Sequence, residues 1–164
     1  MSAVRAVLAL GGNLGDRKKI IKSAIRALKD TEGIEVVAKS PLVESHAVTE
    51  AGVDESRPNY LNGVVEIETT LKPGDLLDRV RVIEQEHGRV RLERWGSRTL
   101  DIDIITYGTL IKAGKRLELP HPRAYQRAFV LVPWALMNSE AVLPGHGSVA
   151  KLAKSVESEV WVVA

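Results

Sequence analysis

Apolar positions follow two periods along the chain, and each marks a different element. Ala3 to Leu10 is a run of small apolar residues, interrupted only at Arg5, ending in Gly11-Gly12-Asn13-Leu14-Gly15, the pattern of a buried strand entering a turn. Asp16 then stands where a helix cap belongs. Ile20, Ile21, Ala24, Ile25 and Leu28 recur at helical spacing, with Arg17, Lys18, Lys22, Arg26 and Lys29 between them and Gly33 as the stop. Ile34 to Ser40 reads as a second strand. Asn62 to Thr70 reads as a third, half-exposed one, in which Val65, Ile67 and Thr69 alternate with Glu66 and Glu68. The stretch between them is expected to be a long polar loop. Pro73 suits a first helical turn, Leu76, Leu77, Val80 and Ile83 form the buried stripe, and Gly88 ends the helix. Leu100 to Tyr107 is a fourth strand, with Leu100, Ile102 and Ile104 on one face and Asp101 and Asp103 on the other.

This βαββαβ order predicts an α+β fold, a ferredoxin-like antiparallel sheet with two helices packed on one face. A C-terminal extension follows from Leu110, with a turn at Gly114, a rigid corner at Pro120-His121-Pro122, a helix around Gln126 to Met137 and an amphipathic tail ending in a strand at Val160 to Val163. At 164 residues, 45% hydrophobic and 27% charged, the chain is expected to form one domain over residues 1–164. Its longest apolar stretch, Ala128 to Met137, is broken by Pro133 and is half the ~20 residues that span a bilayer. No membrane segment or signal peptide is read, so a cytoplasmic protein is expected.

The absence of cysteine excludes disulfides, thiolate zinc sites, iron–sulfur clusters and thiol catalysis. The net charge is only +2, yet residues 89–98 hold four arginines against Glu93. A positive field so confined points to one anionic ligand at one place rather than to a broad nucleic-acid surface.

Asp101 and Asp103 lie two residues apart on a strand, so their α-carbons are about 6.6 Å apart on one face. At an effective dielectric of ~20, two charges ~7 Å apart repel by roughly 2 kcal/mol, and a cation or a facing arginine is needed if both stay ionised. A hard-metal site, Mg²⁺ in particular, is one reading; two solvated acids neutralised by Arg98 are the other. Both acids are expected to face solvent. Arg89, Arg91, Arg94 and Arg98, interleaved with Trp95 and Gly96, read as a basic loop beside the acids. Acids that hold a metal, next to arginines that fork onto phosphate, are the minimal equipment for phosphoryl transfer from a nucleotide. The Gly11 to Gly15 turn lacks the spacing of a P-loop or a dinucleotide turn and reads as mainly structural. Tyr60 and Asn62 offer an aromatic face and an amide to a flat heterocycle, or serve only as a buried tyrosine and a cap. An RNA-binding sheet is the competing class, but neither 62–70 nor 100–106 carries an aromatic residue for stacking.

Taken together, these stretches resemble hydroxymethyldihydropterin pyrophosphokinase, a folate-pathway family. The matching runs are Leu8 to Asp16, Pro58-Asn-Tyr-Leu-Asn-Gly63, Ile83-Glu84 with Gly88-Arg-Val-Arg91, Arg94 to Ile105, and Leu119-Pro-His-Pro122 with Arg127. The resemblance implies transfer of pyrophosphate from ATP to the hydroxymethyl group of a reduced pterin, with release of AMP. It implies that Asp101 and Asp103 hold two Mg²⁺ ions on the triphosphate, and that Arg89 and Arg98 act with them in catalysis. It assigns Glu84, Arg91, Arg94, Ile104, Arg116, His121 and Arg127, with the same two arginines, to the nucleotide. For the pterin it assigns Tyr60 and Phe129 as a ring sandwich, Asn62 at the polar edge, Trp95 as a cover, and Ser45 and Val48 from the loop. ATP and the pterin are the expected partners, with no nucleic acid and no membrane, for a monomer or a homodimer. Two departures stand out: the loop His46 to Arg57 is longer and more acidic than the family's, and Arg81 replaces a polar nucleotide-contacting residue.

Overall fold

The computed structural model describes residues 2–49, 52–88 and 99–163. The first strand, β1 (Val4–Gly12), has its last seven residues buried. Its side chains alternate between two cores, Ala6, Leu8 and Leu10 on one face and Val7 and Ala9 on the other, which explains why every position from Ala6 to Leu10 is apolar. Helix α1 (Arg17–Lys29) opens at Asp16, whose Oδ1 accepts from the Lys19 amide at 3.2 Å, and buries Ile21, Ala24 and Leu28.

The second strand continues past Pro41 as two segments, β2 (Ile34–Lys39) and β3 (Leu42–Ser45). A proline cannot donate to the ladder. Ser40 bridges the gap: its amide donates to Val64 O at 2.9 Å, and its hydroxyl accepts from the Val64 amide at 2.9 Å. The expected polar loop then contains a small hairpin, β4 (Ala47–Thr49) with β5 (Gly52–Asp54), too short and too polar for periodicity to reveal. The third long strand, β6 (Tyr60–Thr69), keeps Glu66 and Glu68 half-buried, where Arg5 binds them at 2.7 and 2.8 Å. Helix α2 (Pro73–Glu86) buries Leu76, Leu77, Val80 and Ile83, and β7 (Asp101–Tyr107) follows.

Beyond β7 a 3₁₀ turn occupies Ala124–Gln126, so helix α3 (Ala128–Met137) starts later than the sequence pattern implies. A two-residue hairpin, β8 (Val142–Leu143) with β9 (Gly147–Ser148), leads into α4 (Val149–Lys154) and finally β10 (Trp161–Val163). The main sheet runs β10-β3-β6-β1-β7, with β2 also on β6, and every pairing in it is antiparallel. Helices α1 and α2 pack on the face carrying Leu8, Ile67 and Ile102. The opposite face, with Val7, Ala9, Val64 and Ile105, is covered by Val130, Leu131 and Trp134 of α3 and Val149 and Ala153 of α4. The extension is therefore a second layer rather than an appendage. None of the described helices is long and apolar enough to cross a membrane.

The register also aligns residues across the whole sheet. Val162, Val43, Asn62, Gly11 and Asp101 sit side by side across five strands, so the side chains of Val162, Val43, Asn62 and Asp101 share the α3 face.

Candidate active site

The α3 face leaves a cavity of about 630 Å³ at one end of the sheet, lined among others by Gly11, Asn62, Asp101, Asp103, Arg127 and Phe129. The strand period brings both acids into it, since Asp101 pairs with Gly11 and Asp103 with Ala9. Contrary to the sequence expectation, neither acid is fully solvent-facing; both are half-buried, because α3 and the 3₁₀ turn roof that face. Burial, and next the neighbouring Asp101, push the Asp103 carboxyl up to about 6, against the pull of Arg127 and Arg81. Arg127 supplies a facing arginine for the pair: its Nη1 stands 3.7 Å from Asp103 Oδ2, and its guanidinium carbon lies 5.3 Å from the centre of the Phe129 ring. One side chain thus connects the acid and aromatic parts of the cavity.

Glu84 holds the acid strand from behind. It is completely buried on α2; its Oε2 accepts from the Ile102 amide at 2.7 Å, and its Oε1 pairs with Arg81 Nη1 at 2.7 Å. Ile102 lies between the two acids on the outermost strand, and its buried amide is satisfied by this helix carboxylate. Burial raises the carboxyl's pKa, opposed by the Ile102 amide and Arg81. Arg81 therefore serves Glu84 and lies within the field of Asp101 and Asp103.

Gly11 makes room for the amide that the heterocycle reading needs. A Cβ at this position would collide with Asn62 Oδ1, lie 2.9 Å from Asn62 Cγ and 3.3 Å from Leu61 O. The Asn62 side chain, 7% exposed, thus lies across the strand that carries Gly11. Gly11→Ala is expected to displace that amide, destabilise the fold by about 1–3 kcal/mol and weaken binding in the cavity; chemical unfolding together with ligand titration measures both.

His121 lies outside the cavity lining, half-buried, with its amide bonded to Ile105 O at 2.9 Å. Its Nδ1 accepts from the Arg123 amide at 3.2 Å, so the neutral ring carries its proton on Nε2. Burial, then Arg127 and Arg123, lower its pKa to about 4 from an ordinary 6.5. A depressed histidine is protonated first in the unfolded chain. Its contribution to stability is therefore complete above about pH 6.5 and is lost as the pH falls towards 4. Thermal midpoints of wild type and His121→Asn should converge across that window and run parallel above it.

Of the other residues singled out in the sequence, Ser45 and Tyr60 line the cavity. Ile104 is buried in the α1/α2 core, and Arg116 pairs with Asp78 on α2; neither lines the cavity. Val48 lies in β4, and its side chain falls outside what the structure describes. Arg89, Arg91, Arg94, Trp95 and Arg98 fall outside the described residues. The cavity adds His46, Val53, Arg123, Gln126 and the segment Ser158 to Trp161, which sequence reasoning missed. Gly11 had a signal, the juxtaposition of two central strands; the C-terminal segment had none.

A model of the family described as 7,8-dihydro-6-hydroxymethylpterin-pyrophosphokinase (HPPK) matches residues 7–139. The chain belongs to this family. It is 38% identical over 151 residues to a 2-amino-4-hydroxy-6-hydroxymethyldihydropteridine pyrophosphokinase of Haemophilus influenzae, covering 92% of each chain. It is 40% identical to the protein of the same name from Synechocystis, covering 97% of this chain and 80% of the relative. A Plasmodium falciparum HPPK-DHPS structure with pterin and p-hydroxybenzoate superposes with a TM-score of 0.72 at 14% identity, over 96% of this chain. This chain spans only 42% of that longer protein, so the likeness bears on the HPPK fold alone.

Proposed function

We propose that this chain transfers the pyrophosphoryl group of ATP to the hydroxymethyl oxygen of 6-hydroxymethyl-7,8-dihydropterin in folate biosynthesis, releasing AMP. The observation that carries the reading is the cavity in which two strand acids and an arginine face an aromatic and amide surface. Family membership accounts for the chemistry, and this arrangement accounts for how the residues divide it.

The donor set suits a hard divalent ion. Asp101 and Asp103 offer only carboxylate oxygens, repel one another and open onto the cavity. Among the described residues no cluster of three or more acids, histidines or cysteines could enclose a metal, so the remaining ligands would be substrate oxygens and water. We assign two Mg²⁺ ions to this pair. When bound, they supply charge neutralisation across the triphosphate.

The chain's own groups do the rest. Tyr60 and Phe129 take the faces of the pterin, while Asn62 and Ser45 meet its polar edge. Arg127 places positive charge beside the acids, where the transferred group must pass, and His121 offers its Nε2 proton to a phosphate oxygen. Arg89, Arg91, Arg94 and Arg98 are assigned to the phosphates, with Arg89 and Arg98 acting in catalysis, and Trp95 and Val48 are assigned to the pterin. Glu84 and Arg81 act on the nucleotide end through the strand they brace. Arg116 and Ile104 belong to the nucleotide side as well. The hydroxymethyl oxygen attacks the β-phosphorus, the Pα–O–Pβ bridge breaks, AMP leaves, and the hydroxyl proton passes to solvent. Positioning and charge neutralisation carry this step, without a dedicated base.

The strand order and the flanking helices support a ferredoxin-like sheet with a C-terminal second layer, formed as one domain. That second layer also covers the face an RNA-binding sheet would have to leave open, which favours a small-molecule enzyme. The protein is read as a cytoplasmic enzyme, a monomer or a homodimer, with neither nucleic acid nor membrane as partner. The test is the nucleotide product. ATP should be converted to AMP, and only when hydroxymethyldihydropterin is present; conversion to ADP, or none, would overturn the reading.

A further inference from the structure

The loop that departs from the family's pattern begins with His46, and the structure gives that residue a definite place. His46 follows Ser45, the residue that pairs with Tyr60, and lines the same cavity. Its ring packs edge-on against Trp161, with centroids 5.1 Å apart and planes at 60°. Trp161 pairs in register with Glu44, and its Nε1 donates to Glu44 Oε2 at 3.1 Å. Glu44 Oε1 in turn binds Arg17 Nη1 at 2.7 Å, and that Arg17 nitrogen also donates to Asn59 O at 2.8 Å, next to Tyr60. The imidazole is thus backed by a fixed chain of contacts through three elements. Trp161 lies beyond residues 7–139, the part that the family model matches.

We propose that His46 contacts the acceptor and sets its specificity, and that Trp161 is the positioning residue that holds its ring. The inference rests on the pterin reading of the cavity and deepens it. Three inter-strand steps separate the acid strand from the strand ending at Ser45, about 14 Å at the usual spacing. An acceptor with its hydroxymethyl group at the acids therefore presents the far edge of its ring system towards His46. A neutral imidazole offers one donor and one acceptor, which suits an edge of alternating amine, ring nitrogen and carbonyl groups. The buried His46 Nδ1 has no hydrogen-bond partner among the described residues, while Nε2 stands 3.9 Å from Glu55 Oε1. Polar capacity is thus present in the wall itself. At this distance from the reacting phosphorus, His46 should act on binding and not on the chemical step.

The experiment is steady-state kinetics on the full chain with hydroxymethyldihydropterin and MgATP, beside calorimetric titration of the pterin in the presence of a non-hydrolysable ATP analogue. His46→Ala should raise the acceptor KM about tenfold, the scale of one hydrogen bond in a desolvated pocket, with kcat and the ATP KM within about twofold of wild type. Trp161→Ala should raise the acceptor KM in the same direction, the double variant should be no worse than His46→Ala alone, and Trp161→Phe should recover most of the loss. A purely structural role would lower the thermal midpoint or kcat and leave the acceptor KM in place. An unchanged acceptor KM in His46→Ala, or additive effects in the double variant, would overturn the proposal even if Trp161→Ala failed to fold. If wild type itself gave no heat with the pterin, the acceptor reading would fall, and this inference with it; wild-type binding matched by His46→Ala overturns the inference alone.

Discussion

Asp103→Asn and Asp101→Asn should each lower turnover by roughly 10³-fold or more, the scale of losing a preorganised electrostatic element at the transferred group. At position 103 the loss of activity should come with a gain in stability. Asp103 has its carboxyl raised to about 6, above its ordinary 3.8, chiefly by burial and by Asp101. A raised acid favours the fold below its unfolded pKa, and that contribution disappears as the pH rises through the folded value. At pH 8 the ionised Asp103 opposes folding, and Asp103→Asn should raise the thermal midpoint; at pH 3.5 it should not. Parallel melting curves at the two pH values, with single-turnover rates, check both halves. Near-native turnover in either variant would remove the acids from the chemistry.

Glu84→Ala should destabilise the fold more than any other substitution proposed for this site. It leaves Arg81 without its ion-pair partner, the Ile102 amide without its acceptor, and a void where a fully buried side chain stood. The unpaired Ile102 amide and the void together cost about 3–5 kcal/mol, which at this size lowers the thermal midpoint by on the order of 10 °C. Because Ile102 lies between Asp101 and Asp103, turnover should fall even at temperatures where the variant remains folded. Glu84→Gln keeps a carbonyl for Ile102 and should recover much of the stability. Differential scanning calorimetry with rates at 15 °C separates the two effects; a melting point within 2 °C of wild type for Glu84→Ala would show that the contacts contribute little.

The elements legible in the sequence are those with a long period and a two-sided job. The strand through Leu8 and the helix through Leu28 announce themselves because burial on defined faces forces the spacing. The hairpin at 47–54 and the strand at 161–163 are three residues per strand, shorter than a period needs to show itself, and their pairing is decided by partners far along the chain. The site was half legible for the same reason. Asp101, Asp103, Tyr60 and Asn62 lie on long strands, so their shared face follows from counting. Glu84 stood out only through family likeness, and its hold on Ile102 depends on a helix meeting an edge strand, a relation no local pattern encodes. Gly11 looked like a turn residue because glycine usually is one; it is a strand residue whose missing side chain serves a neighbour.

The first strand has a further consequence. It is a partition shared by two compartments, so crowding introduced at Leu8 or Leu10 is transmitted to Ala9 and Gly11 on the reverse side, one residue away. Any attempt to reshape this enzyme for new acceptors should leave that partition alone and vary the rim formed by residues 46 and 53, which can change without moving the floor.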